Sequence, residues 1–237
     1  MPRTTTFSVT RDDLIKASLR KLEVIAEGET PSAEDYTNCA FGLNIMLKSW
    51  EKDGYYLWKL SELVLPTVAG NASYQIGPTA TGTGALVTDR PLRLMDTCYR
   101  KDAAGLDTNL RILSRQEYNQ LGLKSTSSTV SQIFYDPQLT NGVLKVYGTP
   151  ADSLDTLYLT AQTPVYDMNS SSETLDMPQE GYMAVVFGLS DYLLDEYPVK
   201  ADKASRITQK AEYYRNQLAD FSQEESSVFF QPTMRGK

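Results

Sequence analysis

The sequence contains no histidine. That absence removes the usual general base, the Ser-His and Cys-His nucleophile pairs and the commonest metal ligand together. Cysteine is nearly as scarce. Cys39 and Cys98 stand far apart and in no C-x-x-C pairing, so neither a zinc site nor a disulfide framework is indicated, and two buried apolar thiols are the simplest reading. No run approaches the ~20 consecutive apolar residues of a membrane span, and the opening MPRTTTFSVTRDD has no apolar stretch of the secretory kind. Nothing in it directs the chain out of the cytoplasm. Basic charge is short as well: 23 Lys and Arg against 30 Asp and Glu give a net charge of −7. Such a balance argues against a protein whose main task is to grip phosphates, while leaving DNA free to pass beside it. The absences together predict no catalytic residue, no metal and no cofactor, and the chain reads as a non-enzyme.

What is present is enough for a sizeable core. A chain of 237 residues that is 41% hydrophobic fits one large domain or two small ones. Thr10, with Asp13 three residues on, marks a helix start, and Leu14, Ile15, Leu22 and Ile25 gather on one face up to a stop near Ala26 and Gly28. Ser32 and Asp35 mark a second start, for a helix running to Asp53 and Gly54. Its main stripe is Tyr36, Cys39, Ala40, Leu43, Leu47 and Trp50, and Phe41 with Ile45 forms a smaller apolar pair on the other side. A helix with two apolar faces must be covered twice, either at the centre of a bundle or by a bundle on one side and a neighbouring subunit on the other.

From Tyr55 to about Thr163 the pattern changes to short alternating runs, which predicts an antiparallel β region. Candidate strands are ELVLPTV, ASYQI, LRLMDTCYR, SQIFY, GVLKVYG and DTLYLTAQ, with Asn141-Gly142 as a turn whose residues tolerate positive φ. The loops GPTATGTGA, KSTSSTVS and NSSSE are polar, and either face solvent or extend to neighbours. Helix returns at Pro178 and EGYMAVVFGLSDYLLDEY continues to Pro198, with Tyr182, Val185, Val186, Leu189 and Leu193 on one face and Met183, Phe187 and Leu194 widening it. This helix should be the most buried of the set. A last helix, from about Ala201 to Phe221, carries Ala204, Ile207, Ala211, Tyr214, Leu218 and Phe221 on its stripe.

The predicted fold class is therefore α+β: a helical bundle built from residues 1–54 and 178–222, an inserted antiparallel β region at 55–177, and an extended C-terminal tail at 223–237. The tail has no periodicity, yet it holds Phe229, Phe230 and Met234, which are of the type that anchors a segment in a partner's groove or sheet edge.

Other features carry less. GPTATGTGA lacks the G-K-[ST] ending of a phosphate loop, and a plain loop explains it. Acidic pairs stand at Asp12 with Asp13, Glu34 with Asp35, and Glu224 with Glu225; helix capping accounts for the first two. Lys203, Arg206 and Lys210 lie along the flank of the last helix, where they either meet DNA phosphates or an acidic partner, or form a solvated face with stems over the core edge. Fifteen tyrosines suit extensive interfaces and ordinary β cores alike.

Several stretches, taken in order, carry a resemblance. AEDYTNCAFGLNIMLKSWEKDGYYLWKL places Trp50 before an acidic-Gly corner at Asp53 and Gly54, and Trp58 after it. LVLPTVAGNASYQIG reads as strand, Ala-Gly turn and Tyr strand, and RPLRLMDTCYRKDAAGLDTNLRILSRQEYNQL as an Arg-Pro-led strand, a turn and a strand ending in a Glu-Tyr helix start. IFYDPQLTNGVLKVYGTPAD and LYLTAQTPV follow as closing strands, and LDMPQEGYMAVVFGLSDYLLDEYP as a Pro-led helix. From about Thr10 to Phe221 this order resembles the head-to-tail adaptors of tailed bacteriophages, the group of tail tubular protein A and the packaged DNA stabilization proteins. The two polar loops GPTATGTGA and KSTSSTVS carry no signature of that family.

The resemblance implies a virion structural protein of the neck, between capsid and tail. It would form a homo-oligomeric ring, generally twelve-fold, docked under the portal ring, with the genomic DNA held and later ejected through its channel without sequence recognition. The helices would form the ring body, the β region would face the tail nozzle or tube, and Phe229, Phe230 and Met234 would bind the portal. Phe41 and Ile45 would then meet the neighbouring subunit. Competing readings are another neck or tail ring such as a tail terminator, a stand-alone binding module, and a carboxylate enzyme acting on peptidoglycan.

Overall fold

A computed structural model describes residues 7–53 and 59–221. The described chain is mixed α/β and divides into two compact units, one containing residues 7–53 and 167–221 and the other residues 59–166.

In the first unit, α1 (Arg11–Leu22) opens on a reciprocal cap in which the Asp13 N–H donates to Thr10 Oγ1 at 3.3 Å and the Thr10 N–H donates to Asp13 Oδ2 at 3.3 Å. Leu14, Ile15, Ser18, Leu19 and Leu22 are its buried face. The helix ends earlier than its apolar pattern predicts, because Glu23 takes a left-handed φ of 61° and its N–H returns to Arg20 O. This turn still lets Ile25 reach the core. The same cap logic starts α2 (Ala33–Asp53), where the Ser32 N–H donates to Asp35 Oδ2 and the Asp35 N–H to Ser32 Oγ, both at 3.1 Å.

A 3-10 turn at Gln179–Gly181 leads into α4 (Tyr182–Tyr192), and a second at Leu193–Asp195 follows it. α4 touches α1, α2 and the last helix, α5 (Ala201–Phe221). Small residues set these approaches. The Ser18 hydroxyl donates to Leu14 O at 2.9 Å and the Ser190 hydroxyl to Val186 O at 2.8 Å, so both buried serines are satisfied where α1 meets α4. A Cβ on Gly188 would stand 2.7 Å from the buried Trp50 ring, and one on Gly42 2.7 Å from the partly exposed Tyr192 ring, so the absence of a side chain at Gly188 matters most for the α2–α4 contact. Residues 167–177, which the sequence groups with the β region, lie with these helices. Met168 and Leu175 are in the helical core, and the Arg11 N–H donates to Glu173 O at 2.9 Å. Phe221, expected on the buried stripe of α5, is 55% exposed.

The second unit holds two five-stranded sheets. In one, β1 (Leu60–Pro66) pairs antiparallel with β10 (Thr156–Gln162) along its whole length, and β10 pairs on its other side with β4 (Arg93–Leu94) and β5 (Tyr99–Lys101), with β6 (Asp107–Asn109) beyond β5. The other runs in the order β3 (Leu86–Val87), β2 (Ser73–Gly77), β9 (Gly142–Tyr147), β8 (Gln132–Asp136) and β7 (Arg111–Ile112). Leu63, Leu65, Leu157 and Leu159 from the first sheet share a core with Tyr74, Ile76, Leu144 and Val146 from the second. Alternation of buried with exposed residues in β1 and of buried with half-buried residues in β9 produces this directly, since successive side chains point to opposite faces.

Two details depart from the sequence reading, and a third, the Asn141-Gly142 turn, forms without the conformation its residues tolerate. The expected strand LRLMDTCYR is two strands separated by a turn at Asp96-Thr97, although the Met95 N–H still reaches Thr160 O at 2.8 Å. The β region is not wholly antiparallel: β2 with β3 and β7 with β8 are short parallel pairs, the latter joined by a crossover containing α3 (Arg115–Gln120). The hairpin turn expected at Asn141-Gly142 is present, joining β8 to the antiparallel β9, with neither residue at positive φ. Asn141 instead accepts from the Thr79 N–H at 3.2 Å, and Gly142 leaves room for the Tyr135 ring.

Leu189 and Leu144 are fully buried, one in each unit. Leu189→Ala and Leu144→Ala should each cost about 2–5 kcal/mol, measured by denaturant unfolding. The capping carboxyls also make a pH prediction. Asp13 is held below its ordinary value chiefly by the Thr10 hydroxyl, Asp35 by the Ser32 hydroxyl and then Tyr197, and Glu117, at the cap of α3, by the Ser114 N–H. A depressed folded value means that the stabilisation is complete above the ordinary carboxylate range and is lost as pH falls through the lower folded values. Stability against thermal unfolding should therefore fall between about pH 5 and pH 2, and Asp13→Asn with Asp35→Asn should flatten that slope.

Candidate subunit and partner surfaces

The chemistry-bearing residue types are largely committed to structure. Cys39 and Cys98 are buried free thiols, and burial pushes each up to about 11. Asp13 and Asp35 cap helices, and Asp12 is paired with Arg11 at 3.1 Å. Among the described residues no cluster of three or more Cys, Asp or Glu side chains has metal-holding geometry, and no helix is long and apolar enough to cross a membrane.

Two surfaces of the helical unit remain. The first is a basic cleft of about 240 Å³ between α1 and α5. The last turn of α1 supplies Arg20 and Lys21, where cations complement the helix dipole. α5 supplies Lys203, Arg206 and Lys210, which the helical repeat places along one flank. The buried Phe187 ring forms the floor. Lys21 Nζ and Lys210 Nζ stand 5.5 and 5.4 Å from its centroid, and Tyr214 stacks on it at 5.3 Å. Glu23 at the rim meets Lys203 Nζ at 2.5 Å. The hydrogen bond and charge of Lys203, followed by Lys200 and Arg206, hold the Glu23 carboxyl below its usual range. With five cations and one paired carboxylate, the cleft carries net positive charge on a chain of net −7.

The structure thus brings together Lys203, Arg206 and Lys210 as the sequence spacing implies. Arg20, Lys21 and the floor Phe187 escape the sequence reading, since their meeting with α5 depends on the tertiary approach of α1. The basic last turn of α1 was the available signal.

The second surface is the outer side of α2. Phe41 is 68% and Ile45 42% exposed, opposite the buried stripe. Toward the start of the helix, Glu34, Asp35 and Glu196 line a broad depression with Phe41 at its edge. Asp35 is fixed there, accepting from the Tyr197 hydroxyl at 2.7 Å. Glu34 and Glu196 are exposed. Phe229, Phe230 and Met234 lie outside the described residues.

The polar loops are fastened at their backbones. Asn71 donates to Thr83 O at 2.7 Å within GPTATGTGA, Ser128 N–H donates to Thr149 O at 2.9 Å from KSTSSTVS, and the Glu173 carboxylate accepts from Asn169 and Ser170 N–H groups within NSSSE. The last of these belongs to the helical unit, against the start of α1. β3 rather than a helix follows GPTATGTGA, and the helix N-terminus of a phosphate loop is therefore missing there.

Compared with models of known protein families and with curated protein sequences, the chain matches none.

Phe187 and Phe41 separate core from surface in one experiment. Phe187→Ala should cost about 3–5 kcal/mol in thermal unfolding, as for other buried aromatics, whereas Phe41→Ala should stay within about 0.5 kcal/mol.

Proposed function

We propose that the chain is the subunit of a head-to-tail adaptor ring in a tailed bacteriophage, seated between portal and tail. The observation that carries this reading is the two-sided α2: one face closes the core of its own unit, and the other leaves Phe41 and Ile45 uncovered on a rigid helix. Exposed apolar groups on a rigid element are what a subunit contact needs. The order of helices and strands, which resembles that family from Thr10 to Phe221, supports the same reading.

In this reading the helices around α4 act as a bundle and form the ring body, in about twelve copies. The β unit faces the tail nozzle or tube, and Phe229, Phe230 and Met234 anchor the tail of the chain on the portal. DNA crosses the channel without sequence recognition, and the net charge of −7 disfavours sticking to the passing phosphates. No catalytic step is required of any residue.

Electron microscopy of the purified chain mixed with the portal ring of the same phage tests the proposal. A symmetric collar beneath the portal is expected, and a bare portal under conditions that preserve both proteins overturns it. Deleting residues 223–237 should abolish collar formation. Retention of the collar would remove the tail of the chain from the contact.

A further inference from the structure

The two surfaces of the helical unit have opposite charge, and each carries an aromatic residue. The cleft offers five cations over Phe187; the outer side of α2 offers Phe41 and Ile45 flanked by Glu34 and Glu196. Lys48, further along α2, is neutralised by Glu51 at 3.3 Å and Asp167 at 3.0 Å. Their dimensions also agree. A cavity of ~150 Å³ accepts a benzene ring, so a cleft of about 240 Å³ has room for a phenyl side chain.

Neither surface suits itself. Two copies of the α2 face would oppose carboxylate to carboxylate, and two clefts would oppose cation to cation, which disfavours a two-fold contact of like faces. The faces also point differently. α4 presents Phe187 to the cleft but Gly188 and then Tyr192 to α2, rotated by about 100° and about 140° round the helix. Unlike faces that point in different directions join copies head to tail, and such contacts generate rings when the rotation closes.

We propose that the acidic, Phe41-bearing face of α2 on one copy docks into the basic, Phe187-floored cleft of the next, with Phe41 entering the cleft and Glu34 and Glu196 meeting Arg206 and Lys210. The contact rests on the ring reading above and names its two halves. DNA phosphate is the rival occupant of the cleft. It leaves the exposed Phe41 face unexplained, whereas a second copy accounts for both surfaces.

The test reverses exposed charges on the full-length chain. Arg206→Glu with Lys210→Glu turns the two cations that meet the α2 face into carboxylates and cancels the net positive charge of the cleft; Glu34→Lys with Glu196→Lys makes the α2 face basic. Self-association is read by sedimentation velocity at low salt and collar formation by microscopy on portal rings, with circular dichroism confirming that each variant is folded. Each reversed variant alone should lose association or collar formation at least tenfold, and mixing the two should restore it, which damage to folding cannot do. Collars that survive both reversals overturn this contact and leave the adaptor reading standing. Reversible, charge-dependent self-association with a bare portal overturns the adaptor reading and leaves the contact standing. Absence of association in both settings overturns both. Loss of binding to a fluorescent DNA duplex in the cleft variant, with association untouched, assigns the cleft to phosphate and overturns the proposal.

Discussion

Where α4 crosses α1, two serines stand in place of larger apolar side chains, and each hydroxyl is satisfied by a carbonyl one turn back on its own helix. At α2 the same closeness comes from glycine, with Gly188 under Trp50 and Gly42 under Tyr192. A buried hydroxyl without a partner costs roughly 1–3 kcal/mol, so the serines are tolerated only because the helix itself supplies acceptors. These small contacts let one short helix serve as the shared wall for three others. Through that wall they fix the distance between the end of α1 and the flank of α5, on which the basic cleft depends.

Charge in this chain does little for stability. The ion pairs seen are mostly at the surface, where each contributes little. Their segregation is more informative: a chain with an excess of acid gathers five cations round one ring while leaving carboxylates beside an exposed phenylalanine on another face. Complementary patches of this kind set orientation and exclude wrong pairings more than they add raw affinity.

Much of the fold is legible from local rules. The caps at Thr10 and Ser32, the limits of α5 and the alternation of β1 and β9 follow from spacing alone, because each depends on residues within one or two turns. What escapes depends on distant partners. The break at Asp96-Thr97 is invisible in an apolar run, since β10 supplies the ladder on both sides of it. The parallel pairs need crossovers whose path no periodicity encodes. Residues 167–177 join the helices because Met168 and Leu175 fill their core, a preference that composition does not distinguish from β packing. Of the candidate surfaces, the flank of α5 and the outer pair on α2 were readable from helical phase; the floor of the cleft was not, because Phe187 looks like any other core residue of α4.

The β unit lies wholly within the chain, between helices that need each other. The Ser18 hydroxyl lies 3.1 Å from Val186 O, across a sequence separation of 168 residues. At synthesis rates of about 5–20 residues per second, the nascent α1 and α2 wait on the order of 10–30 seconds for their partner wall. During that interval every strand of the inserted unit has emerged. The sheets can therefore close while the ribosome is still working, and the helical core is finished only once α4 and α5 have been made. A chain cut short before α4 would thus carry the inserted strands without the helical core.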